Sequence, residues 1–179
     1  MKNVYRTKKW VEEFVIAYGL CPFARAPYED GLVRFQEIEE TDTEAILEAF
    51  WKEVEVIDQA DASELSNSIL LIPALQSSFE DYLDVYYMAS DLLEMQKKDS
   101  KFQLASFHPA YQFAGTKDGD PTNYTNRSPL PLIHIIRTDE AADAIASHPD
   151  IDAVPLANKA KMRELGVEQL RAMLEQTGL

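Results

Sequence analysis

Cysteine, glycine, positive charge and long apolar runs are all scarce in this chain. Cys21 is the single cysteine in 179 residues, which excludes an internal disulfide framework or a zinc site built on several thiolates and fits a reducing compartment. Only six glycines occur, and none forms a Gly-rich strand-to-helix fingerprint of the dinucleotide or P-loop kind, so no nucleotide or other cofactor is expected. Seventeen Lys+Arg stand against 31 Asp+Glu, a formal net charge of −14. A chain this acidic has no net attraction for nucleic acid or an anionic membrane surface, and neither is expected as a partner. No apolar run approaches the roughly 20 residues needed to cross a bilayer. The basic start, Met1 to Lys9, is followed by apolar positions broken by Glu12 and Glu13, so it has no signal-peptide core and a cytoplasmic location is expected. The sequons Asn123-Tyr124-Thr125 and Asn126-Arg127-Ser128 would matter only in a secreted protein.

With 46% hydrophobic and 27% charged residues, the composition describes a folded globular chain, and the length a single domain over 1–179. Trp10, Val11, Phe14, Val15 and Tyr18 share one face of a first helix that Gly19 and Pro22 stop. Residues 33–38 alternate as a strand. Thr41 to Glu44 reads as a capping box opening a helix to about Ala60, with Ile46, Phe50, Val54 and Ile57 on one stripe. Ser68-Ile69-Leu70-Leu71-Ile72 suits a strand buried on both faces. A second capping box, Ser77 to Glu80, starts a helix to about Lys98 that is expected to carry Phe79, Leu83, Tyr86 and Leu93 inward. The third strand is 102–107 and the fourth 130–136, the latter apolar on both faces and therefore central. Helices at 138–147 and 156–176, the latter interrupted at Gly166, complete the chain.

The fold class is thus α/β, a single-domain mixed sheet of about four strands in the order α-β-α-β-α-β-loop-β-α-α, with helices packed on it. Helical crossovers predict parallel neighbours among the first three strands. Between the third and fourth strands, residues 108–129 show no clear periodicity, and a structureless loop that long in a compact domain is usually either functional or a sign of a mistaken element assignment.

That loop gathers polar chemistry. An antiparallel fourth strand would bring His108, at the end of the third, near Arg127 and Ser128, at the carboxyl edge where open α/β sheets usually hold ligands. His108 titrates near neutrality and suits general acid or base work. Arg127 offers a planar fork for carboxylate or phosphate, while Asn123, Asn126, Ser128 and Tyr111 are candidates for positioning a small anionic ligand. Against this, Asp118-Gly119-Asp120-Pro121 is turn chemistry, and Asn and Ser in loops often bond their own backbone.

Cys21 is a candidate nucleophile if it caps a short helix over Pro22 to Ala26 beside Arg25, which would lower its pKa. The preceding helix C-terminus acts the other way, and simple strand order puts Cys21 toward the opposite sheet edge from His108. His134, in mid-strand between apolar neighbours, reads as a satisfied core histidine, and Arg137 as ordinary. His108, Asp118 and Asp120 are the only metal ligands worth weighing, and the aspartates have a turn role, so no metal is expected.

Gly19-Leu20-Cys21-Pro22-Phe23-Ala24, and Ser106-Phe107-His108-Pro109 through Tyr111-Gln112-Phe113 to Asn123-Tyr124-Thr125-Asn126-Arg127-Ser128-Pro129 with Pro131 and His134, resemble the bacterial family catalogued as domain of unknown function fourteen-fifteen. The resemblance covers nearly the whole chain and is loosest around Val154 to Asn158. It implies a stand-alone cytoplasmic protein with no assigned activity, and places Cys21, His108, Asn126 and Arg127 inside the motifs.

Two functional readings follow. One is a small enzyme, a hydrolase or group transferase acting on an anionic metabolite, with His108 as acid/base and Arg127 as anion clamp. It requires His108 and Arg127 at one cleft and fails if His108 is buried with both nitrogens bonded to backbone. The other is a non-catalytic ligand-binding or protein-interaction module with a structurally ordered loop. Charge is uneven: residues 35–100 hold 17 acids and 3 bases, whereas 101–137 come to +2. The acidity belongs to solvated helix faces and argues only against large polyanions.

Overall fold

The computed structural model describes residues 2–178. Helix α1 (Lys2–Trp10) runs into a π-helical stretch, Val11–Ile16, and the chain turns at Gly19, whose φ of +61° a β-carbon would strain. A short helix, α2 (Arg25–Glu29), leads to β1 (Val33–Glu37). Helix α3 (Thr43–Gln59), β2 (Asn67–Leu71), helix α4 (Phe79–Met95) and β3 (Phe102–Phe107) follow, then β4 (Leu132–Arg137) and helices α5 (Thr138–Ser147) and α6 (Ala153–Gly178). Helix α6 bends at Gly166 (φ 75°, ψ 158°).

The helix starts lie one residue beyond the two expected capping boxes. Asp42 accepts from the Ala45 N–H and Ser78 from the Asp81 N–H, because the neighbouring Thr41 and Ser77 leave the cap position to the next oxygen-bearing side chain. The first helix begins at Lys2, so the basic start is helical. Strand β4 begins at Leu132, after Pro131, which has no N–H to give the ladder. In the 108–129 segment a 3₁₀ turn forms at Pro121–Thr125.

The sheet order is β1-β2-β4-β3. Strand β1 pairs parallel with β2, and β4 is antiparallel to both β2 and β3. The first three strands therefore share a direction as expected, but β2 and β3 are not neighbours: β4 lies between them. Strand β4, whose Leu132, Ile133 and Ile135 are buried, thus has a pairing partner on each edge.

Alternation along each strand defines two faces. On one, Leu70, Ile72, Ile133, Ile135 and Phe102 pack under α3 and α4, through Ile46, Phe50, Val54, Ile57, Tyr82, Val85, Ala89 and Leu93. On the other, Ile69, Leu71 and Leu132 meet Trp10, Val11 and Phe14 from the N-terminal helix, Met162 and Leu170 from α6, and Tyr124 and Leu130 from the loop. Asn158 donates to the Leu20 carbonyl at 2.6 Å and Lys161 to that of Tyr18, so α6 clamps the turn preceding Cys21.

Candidate functional site

The polar side chains of the 108–129 segment are spent on holding its backbone. His108 is fully buried, with Nε2 donating to the Leu75 carbonyl at 3.1 Å and Nδ1 accepting from the Ala110 N–H at 3.0 Å. Its ring sits 5.2 Å from Phe79 and 5.1 Å from Tyr82 between centroids. Burial lowers its proton affinity from the ordinary 6.5, while the Leu75 bond acts the other way. No ring nitrogen is left to exchange a proton with a ligand, so the acid/base role read from the sequence has no atom to act through.

The neighbouring candidates follow the same pattern. Asn123 accepts from Phe113 N–H and the Thr116 hydroxyl through Oδ1 and donates to Lys117 O through Nδ2, closing the turn around Gly115. Asn126 donates to Ser106 O at 3.0 Å, and Ser128 to Leu130 O at 2.5 Å. The Tyr111 hydroxyl shares a hydrogen with that of Ser106 at 3.3 Å, and its ring packs on Phe79 and Phe113. Asp120 caps the 3₁₀ turn through the N–H and hydroxyl of Thr122. Most of these are bonds between a side chain and the backbone, and they replace the missing secondary structure.

Arg127 differs. It is 8% exposed and lies 4.8 Å over the Tyr124 ring, with Nε donating to Tyr111 O and Nη2 to the carbonyl and carboxylate of Asp118. Those bonds fix the plane of the fork and leave Nη1 without a partner among the described residues. Beside it is a cleft of about 580 Å³ lined by Arg6, Pro109, Tyr124, Arg127, Ser128, Pro129, Arg171, Leu174 and Glu175. Three guanidinium groups, from α1, the loop and α6, thus meet one acidic side chain. Among the described residues, the Nε of Arg6 is buried with no partner.

Cys21 is not part of this cleft. Helix α2 begins at Arg25, with Ala24 as its cap, so Cys21 caps no helix, and Arg25 pairs with Glu29 at 2.9 Å instead of facing the thiol. Desolvation raises the Cys21 pKa, outweighing the N–H groups of Phe23 and Ala24 that lower it. The residue is exposed overall, and it lines a second cavity of about 680 Å³ between α1, the 21–30 segment, α5 and the sheet.

His134 lines this second cavity too, which the sequence did not reveal. It lies on the face carrying Asn67, Ile69 and Phe107, and its Nε2 is 2.8 Å from the Asn67 Oδ1. Burial pushes its pKa from 6.5 down to about 4. The only sequence signal was its inclusion, like that of Cys21, among the residues on which the family resemblance rests. Because the folded value lies below the unfolded one, the unfolded chain binds this proton first as pH falls. Stability is therefore lost between about pH 6.5 and about pH 4. Urea midpoints should fall through that window in the native chain and fall less steeply in His134→Phe; equal slopes would contradict this assignment.

The fold and its clefts define a small α/β protein with a mixed four-stranded sheet, helices on both faces and two separate cavities on one face. Among the described residues no helix is long and apolar enough to cross a membrane. The chain belongs to the family described as protein of unknown function (DUF1415), which matches residues 2–172. No curated protein and no solved structure matches it.

Proposed function

We propose that the protein binds a small anionic metabolite, a carboxylate or phosphate, in the cleft between Arg6, Arg127 and Arg171, and that the 108–129 loop is the rigid scaffold of this site. The observation that carries the reading is Arg127: two of its nitrogens are fixed by Tyr111 and Asp118, so its third is presented in one orientation beside two further guanidinium groups. A preorganised fork loses little freedom on binding, and planar recognition of an anion is what it is suited to. His108 offers no free nitrogen. This favours binding over hydrolysis or group transfer at the loop.

The test uses calorimetric titration with inorganic phosphate, pyrophosphate and citrate at low ionic strength. At least one should bind, less tightly as salt is added, because partly exposed charges are screened. Arg171→Ala combined with Arg6→Ala leaves the loop bonds intact and should weaken binding by about tenfold or more, corresponding to about 1.4 kcal/mol. Absence of binding by all three anions, or binding unchanged in the double variant, overturns the proposal. Binding in which citrate is preferred identifies the carboxylate class, and a preference for pyrophosphate the phosphate class.

A further inference from the structure

We infer that the second cavity, on the sheet face between α1, the 21–30 segment and α5, is a binding site for a small, largely apolar molecule carrying one hydroxyl or similar hydrogen-bond donor, which it presents to Nδ1 of His134. The site is separate from the arginine cleft; the two share no lining residue.

A chain of four side chains at the cavity wall sets the chemistry of the ligand. Glu140 Oε2 accepts from the Ser66 hydroxyl at 2.5 Å. A carboxylate only accepts, so the Ser66 proton points at Glu140 and its oxygen is left to accept from Asn67 Nδ2 at 3.2 Å. The other end of the Asn67 amide is then a carbonyl, and His134 Nε2 must carry the proton of their 2.8 Å bond. Each link forces the next. His134 therefore holds a lone pair on Nδ1, which has no partner among the described residues and is not one of the buried orphan atoms, so it reaches open space.

The rest of the cavity is mostly apolar, with Asp30 and Gln103 as its further polar members. Trp10, Phe23, Phe107, Ile136 and Ala144 line it, and at about 680 Å³ it accommodates a molecule of ordinary metabolite size. A fixed acceptor in an apolar wall rewards a ligand that donates and discriminates against one that cannot, because the imidazole would lose its contact with water and gain nothing. The polar chain also spans the sheet and α5: Glu140 comes from α5, Ser66 and Asn67 from the start of β2, His134 from β4. Orientation of the acceptor is thereby tied to the seating of α5, the element that closes the cavity. Two distant segments on which the family resemblance rests, around Cys21 and around His134, meet in this one place.

The probe is 2-naphthol, with 2-methoxynaphthalene as the control of similar size that lacks the donor. Cys21 lies in the wall and reports occupancy. The expected results are that 2-naphthol slows alkylation of Cys21 by a maleimide in a saturable way, that the methyl ether protects about tenfold less well, and that His134→Phe abolishes this difference while the apolar body still binds. Ala144→Phe, which fills the cavity from α5 and replaces no member of the polar chain, should remove protection by both compounds. Its folding is checked by circular dichroism, and it keeps the test valid if His134→Phe does not fold. Lack of protection by 2-naphthol up to its solubility limit overturns the inference. So does equal protection by the two compounds in the native chain, or protection that survives Ala144→Phe.

Discussion

Replacing His108 by Ala should destabilise the protein by about 3–5 kcal/mol, the range seen when a large, fully buried ring is deleted. The ring is 0% exposed and is stacked between Phe79 and Tyr82, so truncation leaves a cavity in a part of the core where neither aromatic can collapse freely. Two backbone groups lose their partners at once, the Leu75 carbonyl and the Ala110 N–H. An unpaired buried group costs about 1–3 kcal/mol, although such losses do not simply add to the cavity cost. Urea denaturation followed by circular dichroism measures the effect. His108→Asn should recover part of it, because Oδ1 of Asn can stand where Nδ1 accepts from Ala110. A His108→Ala protein as stable as the native chain would mean that the ring is not a structural pin, and would return it to the list of catalytic candidates.

The second large effect is expected at Arg137. Its Nη2 donates to Ile57 O at 2.6 Å and Ala60 O at 2.8 Å, and its Nε to Leu65 O at 3.1 Å. The last turn of α3 thus ends on a guanidinium supplied by β4, and the chain between α3 and β2 is tied to the same group. Arg137→Ala should cost about 2–4 kcal/mol, since hydrogen bonds from a charged donor contribute about 1.5–3 kcal/mol each and three are lost together. Arg137→Lys should recover only a fraction, because an ammonium on a flexible stem does not reproduce the planar fork. Amide exchange in residues 57–65 should accelerate before the rest of α3 does. A change below about 0.5 kcal/mol, the ordinary range for a surface substitution, would rule out this role.

Arg137 illustrates what could and could not be read from the chain. Helix α3 was legible because Ile46, Phe50, Val54 and Ile57 recur at helical spacing and do face the core. Helix α4 was legible as a helix, but of the expected inward residues Phe79, Leu83, Tyr86 and Leu93 only Leu93 is fully buried; the core-facing stripe is Tyr82, Val85, Ala89 and Leu93, with the other three half-buried at its flank. The centrality of β4 was legible from its two apolar faces. Its insertion between β2 and β3 was not, since local periodicity fixes which residues form a strand but not which edge the strand joins. Side-chain roles were legible only where they are local. Asp120 caps its own turn and could be assigned from spacing. The partners of Arg137 and His134 are more than 60 residues away, at Ile57, Ala60, Leu65 and Asn67. His134 shows the limit most clearly: a lone histidine among apolar residues looks like core, and only the path of the 21–30 segment leaves a space beside it.

The strand order carries a consequence for biosynthesis. Strand β4 is the last of the four described strands to be made, yet among the described residues it is the only partner of β3 and one of two partners of β2. Until residue 137 has left the ribosome, β3 has nothing to pair with, and one edge of β2, buried along its whole length in the finished protein, stays open. Unpaired apolar edges are templates for association with other chains, and contacts between distant segments form slowly. The nascent protein is therefore expected to be prone to association until β4 slides into the gap, and a chain terminated before Leu132 is expected to remain in that state.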